Sequence, residues 1–295
     1  MTPVSLAHLN EASKADFVAA LGDIYEHAPW VADAVAGHRP FATLTDLHDA
    51  MTAAVRDAPA DQGLALINGH PDLAGKAARA GTMTTDSTAE QSGAGLDRLS
   101  EQEFAQLHRL NDAYRLKFGI PFIICVRRHS KGSILRHFEH RLHNDTTTEL
   151  DTALTEISRI AALRLDQRVE AADRLKVHGR LSTHVLDTHA GRPASDVLIE
   201  LLELSAHEES RTLVTARTNQ DGRTDQPLIA GRPVPIGRYE LRFHIGDYFA
   251  RLDAALADPP FLGVVPMQFS VAEPEAHYHV PLLATPWSYT TYRGS

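Results

Sequence analysis

Gly237-Arg238-Tyr239-Glu240-Leu241-Arg242-Phe243-His244-Ile245 alternates small or apolar with polar residues without a fault. Successive side chains on a strand point to opposite faces, so the stretch predicts a strand with Tyr239, Leu241 and Phe243 turned to a core. The same period of two recurs on either side of it. Residues 181–186, 197–204, 211–218, 264–271 and 277–283 are further strand candidates, and Asp221-Gly222 is a tight-turn signal. Residues 247–256 read as one short helix. Many short strands with Gly and Pro turns in about 115 residues predict an all-β sandwich.

Upstream of about residue 170 the period changes. Leu6, Leu9, Phe17, Leu21, Ile24 and Tyr25 recur at spacings near three, four and seven, as do Leu44, Leu47, Met51, Ala54 and Val55. Ser100 and Glu103 have capping-box spacing ahead of the stripe Phe104, Leu107, Leu110, Tyr114 and Phe118, which Gly119 and Pro121 stop. Two further stripes are Ile134, Leu135, Phe138, Leu142 and Leu150, Leu154, Ile157, Ile160, Ala161. Residues 67–71 and 83–95, the latter rich in Thr, Ser and Gly, are expected to interrupt the helices. The boundary falls in the polar stretch 168–178. The expected organisation is an all-α domain over 1–170, a linker over 171–178 and an all-β domain over 179–295. No internal repeat or low-complexity tract is visible.

The chain has 295 residues, enough for two domains with a core each. Its 29 Lys and Arg against 38 Asp and Glu give a net charge of −9, which argues against a nucleic-acid partner. The single cysteine, Cys125, excludes an intramolecular disulfide and a Cys-based zinc cluster. It fits a reducing, cytoplasmic setting. No apolar run approaches the roughly 18 residues of a membrane helix, and Met1-Thr2-Pro3-Val4-Ser5 does not begin a secretion signal. The chain has 17 histidines, a side chain that titrates near neutrality and binds metals, so their placement matters.

In the helical half, Gly69-His70-Pro71-Asp72-Leu73 holds a histidine on a stiff turn, because proline fixes its own φ and biases the residue before it. An ordinary loop histidine is the competing reading. Glu90, in Ser87-Thr88-Ala89-Glu90-Gln91, reads alone as a surface charge. Residues 118–125 form an apolar run that offers either free backbone amides or plain core. In the strand half, His184 lies among apolar neighbours, Arg223 follows the turn, and His277 and His279 share one face of a strand. His-x-His with a distant histidine is also compatible with zinc. No cysteine accompanies it, and no Asp or Glu has a convincing ligand spacing.

Together, GHPDL at 69–73, SxxEQxxAGL at 87–96, KFGIPFII at 117–124 and Leu163-Arg164-Leu165 resemble the OHCU decarboxylase family over about residues 5–168. That family is all-α and acts on 2-oxo-4-hydroxy-4-carboxy-5-ureidoimidazoline (OHCU) in urate breakdown. The resemblance implies His70 and Glu90 as a catalytic pair. It implies Pro71, Ser87 and Gln91 as substrate contacts, backbone contacts from Phe122, Ile123, Ile124, Cys125 and Val126, and Arg164 as a polar anchor. Arg141 is a weaker candidate. These residue types suit the chemistry: an arginine and amides hold an anion and its developing charge, and a histidine near neutrality gives or takes a proton. A carboxylate facing the substrate's own carboxylate favours its departure.

LSTHVLD at 181–187, DGR at 221–223, GDYF at 246–249, HYHVPLL at 277–283 and the terminal YRGS resemble 5-hydroxyisourate hydrolase, the transthyretin-like enzyme, over 179–295. A hormone-carrying transthyretin shares that fold but should lack these histidines and the YRGS end. The resemblance implies a transthyretin-like sandwich with one short helix. Its hydrolase site would comprise His184, Arg223, His279 and Ser295, with Tyr292 contacting substrate and His277 flanking. Neutral histidines suit water activation, and the arginine fork suits an oxygen-rich substrate. The hydrolase product is OHCU. The two resemblances therefore imply one chain that converts 5-hydroxyisourate through OHCU to (S)-allantoin and CO2, with no metal, cofactor, nucleic acid or membrane. They also imply a homo-oligomer, a tetramer through the strand domain. The competing readings are a decarboxylase fused to a transthyretin-like binding module, and a zinc hydrolase.

Overall fold

A computed structural model of the chain describes residues 3–75, 83–97, 99–204, 210–252 and 257–294. It divides into two compact units, one formed by Met1–Arg127 with Ile134–Val177, the other by Arg128–Ser133 with His178–Ser295.

The described helices before the strand half are α1 (Leu6–Glu11), α2 (Lys14–Leu21), α3 (Pro29–Val35), α4 (Leu44–Arg56), α5 (Ala60–Asn68), α6 (Thr85–Gly93), α7 (Glu101–Phe118), α8 (Lys131–Arg141) and α9 (Thr146–Arg168). The stripes read from periodicity point inward: Leu9, Phe17, Leu21, Leu44, Leu47, Met51, Leu107, Tyr114, Phe138 and Ile157 are all buried in one core. Ser100 and Glu103 form the capping box at the start of α7, and Gly119 closes the helix in the left-handed region at φ 71°.

Two expectations are corrected here. Ile67 lies inside α5, so the interruption begins only at Gly69. Most of 83–95 is helix α6 rather than a break. The Thr84 hydroxyl caps it by accepting from the Ser87 amide, satisfying one of the donors a helix start leaves open. This helix carries no apolar stripe because its inward side presents Ser87, Glu90 and Gln91 at helical spacing. Its period is real but written in polar letters.

The expected linker is also different. Val169–Glu170 (β2) pairs in parallel with Val4–Ser5 (β1). The Asp173 carboxylate accepts from the Leu44 amide at 2.9 Å, and Arg174 Nε donates to Asp166 at 2.9 Å. Leu175 and Val177 are buried in the helical core. The charged letters that read as a spacer are a helix cap and an ion pair, and the segment is packed onto the helical unit through Val177.

In the second unit, the described strands are β3 (Gly179–Asp187), β4 (Arg192–Pro193), β5 (Leu198–Leu204), β6 (Ser210–Arg217), β7 (Ile229–Arg232), β8 (Gly237–His244), β9 (Val264–Val271), β10 (His277–Ala284) and β11 (Tyr289–Thr291). One sheet has the order β6-β5-β8-β9, and the other β11-β10-β3-β4 with β7 also on β3. All pairs are antiparallel except β3 with β10, where His279 lies opposite Ser182 and Pro281 opposite His184. Leu181, Val185, Ile199, Leu201, Tyr239, Leu241, Phe243 and Leu282 form the buried core between the sheets. Glu240, on the polar side of β8, is nonetheless buried, held by Arg242 and Gln268. The short strands β4, β7 and β11 carry too few residues for a period to show. The helix α10 (Ile245–Arg251) begins two residues before its expected start, and residues 253–256 lie outside the described residues. Among the described residues, no helix is long and apolar enough to cross a membrane.

Candidate active sites

The helical unit brings its candidates to one small cleft, lined by His70, Pro71, Ser87, Glu90, Gln91, Phe122, Ile123, Ile124, Val126 and Arg164, with Leu73 and Ile160. His70 follows the end of α5. Its amide donates to the Ile67 carbonyl at 3.2 Å, and its Nδ1 lies 3.0 Å from the Leu66 carbonyl. A carbonyl only accepts, so Nδ1 carries the proton and Nε2 is the basic nitrogen. Burial pushes His70 down to about 4, against the opposing pull of the Leu66 carbonyl and of Glu26, so the imidazole is neutral at physiological pH. The turn after Pro71 is pinned by Arg115, whose Nε donates to Asp72 at 3.0 Å, and by Gln91, which accepts from the Ala74 amide at 3.0 Å.

Arg164 reaches the cleft from α9. Its Nε and Nη2 each lie 2.9 Å from one oxygen of Glu90, a bidentate pair. Nη2 also approaches the Ser87 hydroxyl at 3.3 Å, and Nη1 lies 2.8 Å from Glu26 Oε2. The carboxylates hold the guanidinium firmly protonated despite its burial.

Glu26 is a member of this set that the sequence did not reveal. It lies in the turn between α2 and α3, where a lone acidic letter beside a buried stripe gives no sign of its distant partner. Its Oε1 accepts from Thr84 Oγ1 at 2.7 Å and Ser87 Oγ at 2.9 Å.

Phe122–Cys125 follows the Gly119 stop without helix or strand, Val126 opens a short 3-10 helix (Val126–Arg128), and only part of the stretch matches expectation. Cys125 does not border the cleft: it is buried, and its amide donates to Glu156 at 2.7 Å. Arg141 lies behind the segment, with Nη1 donating to the Ile123 carbonyl at 2.7 Å, its guanidinium 4.4 Å from the Phe122 ring centre, and Nη2 2.9 Å from Glu149. The Tyr114 hydroxyl donates to the same carboxylate. Arg141 supports the cleft wall without reaching the cleft.

The strand unit assembles its candidates on the face of the β3–β10 pair opposite the core. Ser182 and His184 project from β3, and His277 and His279 from β10. The Ser182 hydroxyl is 3.0 Å from His279 Nδ1 and 2.9 Å from His277 Nε2. With one proton, it donates to one ring and accepts from the other, which places the rings in complementary tautomers. Sequence reading missed Ser182, although its two-residue offset from His184 puts both on one face.

His184 Nε2 donates to the Asp221 carbonyl at 2.8 Å, leaving Nδ1 as the base. Arg223 is brought beside it by an antiparallel bridge between their backbones. The turn depends on Gly222, with φ 71° and room for no Cβ: one would meet the Val185 carbonyl at 2.3 Å. Desolvation and then the Arg223 charge lower the His184 pKa, outweighing the Asp221 carbonyl. Desolvation and Arg223, followed by His277 and His184, also lower that of His279. The tail returns to this face, and the Gly294 amide donates to the His279 carbonyl at 2.8 Å. Tyr292 is 58% exposed, and Ser295 lies outside the described residues. Among the described residues, no three His, Cys, Asp or Glu side chains converge as metal ligands.

Comparison with known proteins agrees with this division. Residues 10–166 match the OHCU decarboxylase family, and residues 181–294 match the HIUase/Transthyretin family. A 2-oxo-4-hydroxy-4-carboxy-5-ureidoimidazoline decarboxylase of Halalkalicoccus jeotgali is 42% identical over 167 residues, covering 57% of this chain and 93% of its own. A 5-hydroxyisourate hydrolase of Deinococcus radiodurans is 55% identical over 119 residues, covering 40% of this chain and 98% of its own. A crystal structure of an (S)-allantoin synthase, 34% identical, covers 99% of this chain and 100% of its own with a TM-score of 0.53.

Proposed function

Because the chain belongs to the OHCU decarboxylase family through its helical unit and to the HIUase/Transthyretin family through its strand unit, we propose that it hydrolyses 5-hydroxyisourate to OHCU and decarboxylates OHCU to (S)-allantoin. The observation that carries this reading is that each unit holds the residue types its own step needs.

Hydrolysis needs an activated water and a partner for the developing oxyanion. His184 and His279 are the candidate bases, since desolvation and Arg223 favour their neutral forms. Arg223 supplies a fork of donors for the substrate oxygens. Ser182, bridging the two β10 histidines, sets their tautomers. Ser295 and Tyr292 extend the site at the tail.

Decarboxylation breaks the bond between a ring carbon and the carboxylate. CO2 leaves, the electron pair stays on the ring, and one proton is consumed at carbon. Arg164 and the backbone of Phe122, Ile123, Ile124 and Val126 hold the anionic substrate, Pro71, Ser87 and Gln91 fix its orientation, and His70 and Glu90 handle the proton. A cleft closed on one side protonates one face, which accounts for a single enantiomer.

Side chains alone serve both steps, without metal or cofactor. We place the protein in the cytoplasm, in keeping with its one buried thiol, and assemble it as a homotetramer through the strand unit.

Mutation tests the assignment. His70→Ala or Glu90→Ala should stop the second step so that OHCU accumulates, while His184→Ala or Arg223→Ala should slow only the first, each by about 10²–10⁴-fold. Full decarboxylation by His70→Ala would refute the assignment of the first site.

A further inference from the structure

Glu26 is not among the residues that line the cleft, yet it shares Arg164, the cleft's buried cation among the described residues, with Glu90. Arg164 and Glu26 are 5% and 3% exposed, and the guanidinium lies between two carboxylates, Nη1 on Glu26 and the Nε–Nη2 edge on Glu90. Burial opposes the charge on Glu26, but the Thr84 hydroxyl and Arg164 outweigh it and keep the carboxyl below its usual range. The charged or titratable groups felt by His70 are Glu26, Arg164 and His27, and His70 itself is neutral.

Two carboxylates thus face one guanidinium, where one would suffice for neutrality. They differ in access. Glu90 lines the cleft, while Glu26 is sealed behind Thr84 and Ser87. Stripping a buried cation of its last partner is strongly disfavoured. A cleft-facing carboxylate can therefore release Arg164, or take up a proton, only if the other carboxylate stays.

We propose that Glu26 is a positioning residue that permanently neutralises Arg164 and so frees Glu90 to change its proton or its partner during decarboxylation. The inference rests on the decarboxylase reading above. That reaction consumes one proton at carbon, and a Glu90 that is not obliged to remain ionised can relay it from solvent.

Glu26→Gln separates charge from shape. The amide oxygen still accepts from Thr84 and Ser87, and Arg164 keeps Glu90, so no buried charge is orphaned. Glu90 is then locked as the sole counter-ion. The expected result in the full chain, with OHCU generated in situ, is a kcat lowered about tenfold or more with a KM that is unchanged or reduced, because a negative charge has left the surroundings of an anionic substrate. A purely structural role would misplace Arg164 and raise KM. An independent readout is the His70 ring titration by NMR. It should move to lower pH in Glu26→Gln and return toward the wild-type midpoint in Glu26→Asp, which keeps the charge. Glu90→Gln provides a second arm that leaves Glu26 intact: kcat should collapse without a rise in KM. Wild-type kcat in Glu26→Gln, a loss confined to KM with an unmoved His70 midpoint, or a tenfold rise of KM in Glu90→Gln would each overturn the proposal. A wild-type chain that does not decarboxylate OHCU would instead overturn the decarboxylase reading.

Discussion

His70 is held neutral by burial, and this has a measurable consequence at two levels. With its folded pKa pushed down to about 4 from an ordinary 6.5, the ring remains a free base through the mildly acidic range. Decarboxylation that depends on neutral His70 should show no acid limb near pH 6.5; its loss should come only as pH approaches 4. For stability the sign is the opposite of a salt-bridged histidine. The unfolded chain takes up a proton at His70 below about 6.5 while the folded chain does not, so this residue's contribution to stability falls from there down to its folded pKa. A ring titration by NMR checks both, and a midpoint near 6.5 would refute them. His70 and Glu90 were legible in the sequence because they stand in short motifs. Glu26 and Ser182 were not, since each is a single polar letter whose partners lie far along the chain: Arg164 on α9 for one, His277 and His279 on β10 for the other. Cys125 was drawn into the expected contact set by its neighbours, but an inward-facing amide satisfied by Glu156 takes it out of the cleft wall.

Among the elements, strands β8, β9 and β10 were the most legible, because a half-buried strand writes its two faces in alternation. Helix α6 was the least legible, because its buried side faces a polar cleft. Periodicity in hydrophobicity finds a helix only where the helix packs on apolar neighbours. The capping hydroxyl of Thr84 and the spacing of Ser87, Glu90 and Gln91 were the available signals. The segment before β3 was misread for a related reason, since Asp173 and Arg174 look like linker letters until their partners Leu44 and Asp166 are in place. At the other end of the chain, the tail after β11 lies against His279. A Cβ on Gly294 would meet His279 Cδ2 at 2.7 Å. Gly294→Ala should therefore displace either the tail or the ring and lower hydrolysis of 5-hydroxyisourate, leaving decarboxylation at the wild-type rate. Separate assays of the two steps in this variant check the prediction. Unchanged hydrolysis would show that the close approach has no role in the first step.

For the molecule as a whole, each unit carries its own core and its own cluster of site residues. Trp287, Tyr289 and Tyr292 are 58%, 46% and 58% exposed at the end of the strand unit that also bears the tail. Large exposed aromatics beside an edge strand favour pairing with another copy, and closed symmetry is the usual outcome for a self-complementary surface. Light scattering should give a tetramer, and deletion of residues 292–295 should cost hydrolysis far more than decarboxylation with the assembly intact. A stable monomer with full hydrolase activity would defeat the assembly. Two family likenesses and two sets of side chains were legible in the sequence, whereas the tetramer was expected only through the transthyretin-like resemblance, because an interface is written in surface residues that have no period of their own. The central claim is that one chain carries both steps. It is tested most directly by adding freshly prepared 5-hydroxyisourate to the purified protein and following ultraviolet absorbance and circular dichroism together. Accelerated loss of 5-hydroxyisourate and of OHCU, with growth of a dichroic signal of one sign belonging to (S)-allantoin, is the predicted result. Decay of both intermediates at their uncatalysed rates, ending in racemic allantoin without dichroism, would contradict it.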